Sequence, residues 1–106
     1  MGHVSWSYKA SSNLEAIHDH IATDSGSLFY AKRFVRALIN ATRKLETFPR
    51  CGRTVPEFEG SGFREVIHKG YRIIYRIVEP SNEIEVLAVI HGARDLERAF
   101  QEDWEV

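Results

Sequence analysis

Two arginines in an alternating segment, Tyr71-Arg72-Ile73-Ile74-Tyr75-Arg76, are the side chains of this sequence best suited to gripping an oxyanion. A guanidinium offers a planar fork of donors that matches a phosphate or a carboxylate. A second group, His68, Lys69, His91 and Arg94, falls at predicted strand ends and is expected to gather near one rim. There a histidine would act as general acid or base, and the cations would neutralise a phosphorane-like transition state. That is the chemistry of a metal-independent ribonuclease, with Arg72, His91 and Arg94 as its candidates. The competing expectation is that these are ordinary exposed polar residues. No metal site is expected. His18 and His20 stand two apart on a helix and face different ways, and no HExxH or CxxC spacing occurs. Cys51 lies between Arg50 and Arg53, which favours a thiolate, but no base or orienting residue accompanies it. No cofactor-binding motif is present, and the glycines are scattered in turns.

The elements that must position these groups follow from hydrophobic period. Val4–Ser7 alternates and predicts an opening strand. A helix is expected from about residues 9–13 to 23, with Ser12-x-x-Glu15 as a capping box and Gly26 as the terminal cap. The second helix is the strongest pattern: Ala31, Phe34, Val35, Leu38, Thr42, Leu45 and Phe48 recur at helical spacing, and Pro49 stops it. Its other face carries Lys32, Arg33, Arg36, Arg43 and Lys44. Phe29, Tyr30 and Ile39 stand among those charges as apolar anchors for an acidic partner. A solvated helix face is the alternative.

Beyond Arg50 the period becomes two. Short strands are expected near Thr54–Phe58 and Phe63–His68, then two long ones at Tyr71–Val78 and Glu83–His91. With Pro80 and Ser81 at the tip, Ile77 faces Ile84, Tyr75 faces Val86, Ile73 faces Ala88 and Tyr71 faces Ile90. That apolar face is expected to lie on the helices. The other face pairs Arg76 with Glu85 and places Arg72 opposite Val89, with no acid directly opposite. Glu65 or Glu57 on neighbouring strands are alternative partners for Arg72. Residues 94–100 are expected to form a short C-terminal helix, and 101–106 a frayed acidic end. The class is α+β, a helical hairpin packed on one face of an antiparallel sheet.

A chain of 106 residues suits one small domain spanning 1–106. With 43% hydrophobic residues it can offset its ordering entropy, which excludes disorder. A single cysteine excludes an internal disulfide framework and suits a reducing cytoplasm. No apolar run is long enough to span a membrane, and no secretion signal is seen at the N-terminus. The net charge of −1 hides a split. Residues 1–78 hold 12 basic and 7 acidic side chains, a balance of +5; residues 79–106 hold 2 and 8, a balance of −6. A mean so near zero argues against a dedicated nucleic-acid binder, while the basic body suits an acidic partner.

In order, these pieces resemble the RelE/ParE superfamily of type II toxin–antitoxin toxins. Trp6-Ser7 with Ala10, Leu14 and Ile17 resembles the opening strand and first helix. Leu45-x-x-Phe48-Pro49-x-x-Gly52-Arg53 resembles the family's turn after the second helix. Arg64-Glu65-Val66 followed by Gly70-Tyr71-Arg72-Ile73-x-Tyr75-Arg76 resembles the central hairpin. Val86-Leu87-x-Val89-Ile90-His91-Gly92-Ala93-Arg94-Asp95 resembles the ending of many ParE-like sequences. The likeness covers about residues 4–97.

The resemblance implies a RelE-like fold and a ParD-like antitoxin as partner in a hetero-oligomer. It offers two activities: ParE-like poisoning of DNA gyrase without catalysis, or RelE-like cutting of mRNA on the ribosome. Arg72 falls where the nucleases keep a phosphate-binding arginine, and His91 near a general acid or base of some of them. The tyrosine expected after the last strand is replaced by Gly92-Ala93, and the lysine patch is reduced to Lys69. The departures favour the ParE-like activity. On that reading the target contacts are Arg94, Arg98 and Trp104. The antitoxin is expected to cover Phe29, Tyr30, Arg33, Arg36, Ile39, Arg72 and Arg76.

Overall fold

A computed structural model describes residues 2–92 of the chain. The expected helix at 94–100, the tail at 101–106, and Arg94, Arg98 and Trp104 lie outside the described residues.

The order is strand, two helices, four strands: β1 (Val4–Trp6), α1 (Tyr8–Ser25), α2 (Leu28–Asn40), β2 (Arg53–Thr54), β3 (Arg64–His68), β4 (Tyr71–Val78) and β5 (Glu83–His91). Short 3-10 turns occupy Arg43–Glu46 and Pro56–Phe58. The sheet order is β1-β5-β4-β3-β2. Strands β2 to β5 pair antiparallel, as expected. β1 joins the edge parallel to β5, so the sheet is mixed.

α1 starts earlier than Ser12. Ser7 is the cap: its hydroxyl accepts from the Ala10 N–H at 3.0 Å, satisfying a donor of the first turn. Gly26 closes the helix as expected, at φ 71°, a left-handed conformation that favours glycine. α2 ends at Asn40 rather than running to Phe48. The Thr42 hydroxyl donates to the Ile39 carbonyl at 2.7 Å, and the backbone tightens into the turn at Arg43–Glu46. A 3-10 turn still points Leu45 inward, which is why the apolar pattern outlasts the α-helix. The expected strand at Thr54–Phe58 is only Arg53–Thr54, followed by the turn at Pro56.

The β4–β5 hairpin follows the expected pairing near its tip: Ile77 opposite Ile84, Arg76 opposite Glu85, Tyr75 opposite Val86. Beyond Tyr75 it shifts. Ile74 faces Ala88 and Ile73 faces Val89, leaving Leu87 as an extra residue in a bulge. Val89 therefore joins Ile73 and Tyr75 on the helix side. Ala88 and Ile90, expected there, lie on the opposite face with Leu87 and Ile74. The bulge frees backbone groups that need partners. The Ser7 N–H donates to the Val86 carbonyl at 3.0 Å and its hydroxyl to the Leu87 carbonyl at 3.1 Å. The Val89 N–H donates to Asn13 Oδ1 at 3.0 Å. The start of α1 is thus stitched to the irregular part of β5.

Each sheet face has its own apolar layer. Leu38, Leu45, Val66, Ile73, Tyr75 and Val86 form the main core beneath the helices. On the outer face, Val55, Ile74, Leu87, Ala88 and Ile90 cluster under Phe58 and Phe63 of the 55–63 loop.

Candidate interaction surface

α2 places the apolar anchors and cations on one exposed surface. Ser27 caps it, its hydroxyl accepting from the Tyr30 N–H at 3.0 Å. Ala31 and Leu38 are buried inward, while Phe29 stays 72% and Ile39 39% exposed. Large apolar side chains are thus left in water beside the cations of the same helix. Arg33 lies over the Phe29 ring at 5.7 Å, one turn away, a cation–π contact that holds both outward. Lys32, Arg33 and Arg36 are exposed, α2 contains no acid, and among the described residues no ion pair involves them. The surface is cationic and partly apolar.

Arg72 stands on the other side of the sheet and does not present an unpaired guanidinium. It is buried beneath the 55–63 loop. Its Nη1 and Nη2 donate to the Glu57 carboxylate at 2.7 and 2.8 Å, and its Nε to Glu65 Oε1 at 2.6 Å. Arg53 Nε donates to the second Glu65 oxygen at 2.6 Å. Of the two acids the sequence offers Arg72, both bind it. Arg72 holds the Glu57 carboxyl down at about 2, and the two carboxylates raise the guanidinium above its ordinary range. Arg76 is exposed and pairs with Glu85 at 2.7 Å, as the hairpin register predicts. The residues expected under the antitoxin therefore lie on two surfaces, the exposed face of α2 and the outer face of the sheet.

At the rim, His68 and His91 flank Tyr71 from the two neighbouring strands, and Lys69 stands in the turn between β3 and β4. Their roles differ. His68 Nε2 is buried without a partner among the described residues. His91 is exposed, its ring edge-on to Tyr71 at 5.2 Å. Sequence reasoning missed the cleft beside it. A cavity of about 410 Å³ opens between α1 and the ends of β4 and β5, lined by Asn13, Ile17, His20, Tyr71, Val89 and His91. The helical spacing of Asn13, Ile17 and His20 was the available signal, but nothing local tells which strand that stripe faces. Cys51 is exposed, and among the described residues no group of three or more metal-ligating side chains is found. No described helix is long and apolar enough to cross a membrane.

The model of the family "ParE toxin of type II toxin-antitoxin system, parDE" matches residues 4–96. The chain belongs to the ParE toxin family. Among solved structures, the chromosomal ParDE toxin–antitoxin system from P. aeruginosa matches with a TM-score of 0.71 and 25% identity, over 86% of this chain and 96% of that one. The RelBE2 complex of Mycobacterium tuberculosis matches at TM-score 0.62 and 22% identity, over 85% and 96%. The isolated RelE toxin of E. coli matches at 0.53 and 11%, over all of both chains. The last two show the shared fold. No curated protein sequence matches. The ParE family and the helical hairpin on a five-stranded sheet agree with the toxin fold expected from the sequence.

Proposed function

We propose that this ParE-family toxin acts by binding a type II topoisomerase, DNA gyrase, without catalysing a reaction, and that an antitoxin neutralises it by covering the cationic apolar face of α2. One observation carries the reading. The arginine that a RelE-like nuclease would keep for phosphate is enclosed by Glu57 and Glu65 under the 55–63 loop, whereas Phe29 and Ile39 stand exposed beside Arg33 and Arg36, which pair with no acid among the described residues. An RNA phosphate would have to displace two carboxylates to reach Arg72, and both repel it. An acidic amphipathic segment meets no such obstacle on α2. Contact with the topoisomerase is assigned to Arg94, Arg98 and Trp104 from the sequence alone.

The second reading, ribosome-dependent mRNA cleavage, is favoured by one feature: the exposed His91 imidazole at the rim. Inducing the chain alone in bacterial cells separates the two. Filamentation with a rising DNA-damage reporter and intact mRNA is the expected outcome. Early codon-phased mRNA cutting that disappears in His91→Ala would replace it with the nuclease reading.

A further inference from the structure

The cleft between α1 and the sheet rim has the chemistry of a carboxylate receptor. Its floor is apolar, from the buried Ile17 and Val89. Its polar lining is Asn13, His20, Tyr71 and His91, and among the described residues no acid lines it. Asn13 Oδ1 is taken by the Val89 N–H at 3.0 Å, which directs its amide to act as a donor. Among the described residues, no hydrogen bond is made by the Asn13 amide N–H groups, the Tyr71 hydroxyl, or the imidazoles of His20 and His91. An imidazole carries at least one N–H in either protonation state. Four side chains able to donate thus converge over an apolar floor, the composition of a ligand site.

The cleft is also joined to the α2 face. Tyr30 meets Phe34 edge-on at 6.2 Å, Phe34 meets Tyr71 at 5.7 Å, and Tyr71 meets His91 at 5.2 Å. This row of rings runs from the exposed end of α2 to the cleft wall. A segment lying on α2 is therefore within reach of the cleft along a continuous aromatic track.

We infer that the cleft receives an acidic side chain, a glutamate or aspartate, from the antitoxin segment that covers α2. The inference rests on the antitoxin reading above. The carboxylate accepts from His20, His91, Tyr71 and Asn13, while its methylenes lie on Ile17 and Val89. A nucleic-acid phosphate fits less well, because among the described residues no guanidinium or ammonium lines the cleft.

The first test titrates the whole chain with N-acetyl-glutamate amide, its glutamine counterpart and inorganic phosphate, following the His20 and His91 ring resonances. Saturable shifts with the glutamate compound, at least tenfold weaker with glutamine and phosphate, are expected. Equal binding of glutamine, tighter binding of phosphate, or no saturable shift overturns the carboxylate assignment. The second test measures affinity for the cognate antitoxin. His20→Ala combined with His91→Ala is expected to weaken it at least fivefold, and Phe29→Ala likewise. If only Phe29→Ala weakens binding, the cleft is not the receptor and the α2 reading stands. If neither does, both fall. His20 and His91 are exposed, so the double variant is expected to fold.

Discussion

Arg72 illustrates how one residue's surroundings decide between binding and architecture. Its fork is filled by Glu57 on one edge and Glu65 on the other, and the Glu65 side chain is wholly buried. Removing one partner of such a network leaves a charge without compensation, at a cost of about 3–5 kcal/mol. Arg72→Ala is therefore expected to lower the urea midpoint sharply, whereas Arg76→Ala, which breaks an exposed pair, costs about 0.2–1 kcal/mol. Similar losses for the two variants would mean that Arg72 is not structurally committed. Arg72→Glu should likewise unfold the chain before it reports on any partner. Glu57 adds a pH dependence. Its carboxyl is lowered from 4.5 to about 2, so the stabilisation is fully present above pH 4.5 and is lost as pH falls toward 2. Glu57→Gln removes that loss. Thermal unfolding across this window should fall less steeply in the variant, and parallel curves would show that the pair contributes nothing to acid sensitivity.

At the scale of elements, Ser7 serves two structures at once. Its hydroxyl accepts from the first turn of α1 and donates to the Leu87 carbonyl at the bulge of β5. Ser7→Ala is expected to cost about 1–2 kcal/mol, the upper range for a cap because a sheet carbonyl loses its donor as well. Amide exchange at Ala10 should accelerate, and unchanged exchange there would remove Ser7 as the cap. This arrangement also shows what was legible in the sequence. β4 and β5 were readable to their ends because both are rich in β-branched and aromatic residues and are bounded by turn residues, Lys69-Gly70 and Pro80-Ser81-Asn82. The bulge was not, since Leu87, Ala88, Val89 and Ile90 are all apolar and either register buries them. Ser12-x-x-Glu15 matches a capping pattern, yet Ser7 wins because the β5 backbone is there to hold it. The α2 surface was legible because charge and apolar stripe share one helix. The enclosure of Arg72 was only half legible: Glu57 and Glu65 were visible as partners, but not the loop that brings Glu57 over the sheet. The cleft depends on three elements meeting, and no local pattern encodes that.

At the scale of the molecule, the two faces of the sheet divide the work. The outer face is sealed by the 55–63 loop and its ion pairs, while the helix side ends in a cationic apolar surface. If neutralisation depends on that surface, it should be separable from both stability and toxicity. Arg33→Glu with Arg36→Glu turns a surface suited to an acidic partner into one that repels it. Opposed like charges disfavour association by several kcal/mol, so affinity for the antitoxin should fall at least tenfold by calorimetry. Both residues are exposed and without acidic partners among the described residues. Their replacement should therefore leave the unfolding midpoint within about 0.5 kcal/mol of the parent. In cells producing both proteins, the variant is expected to arrest growth although antitoxin is present, and the parent is not. Produced alone, the two should be equally toxic, because α2 is not assigned to the target. Growth of the variant beside its antitoxin would place neutralisation elsewhere on the fold, while loss of toxicity in the variant alone would mean that target and antitoxin compete for the same helix.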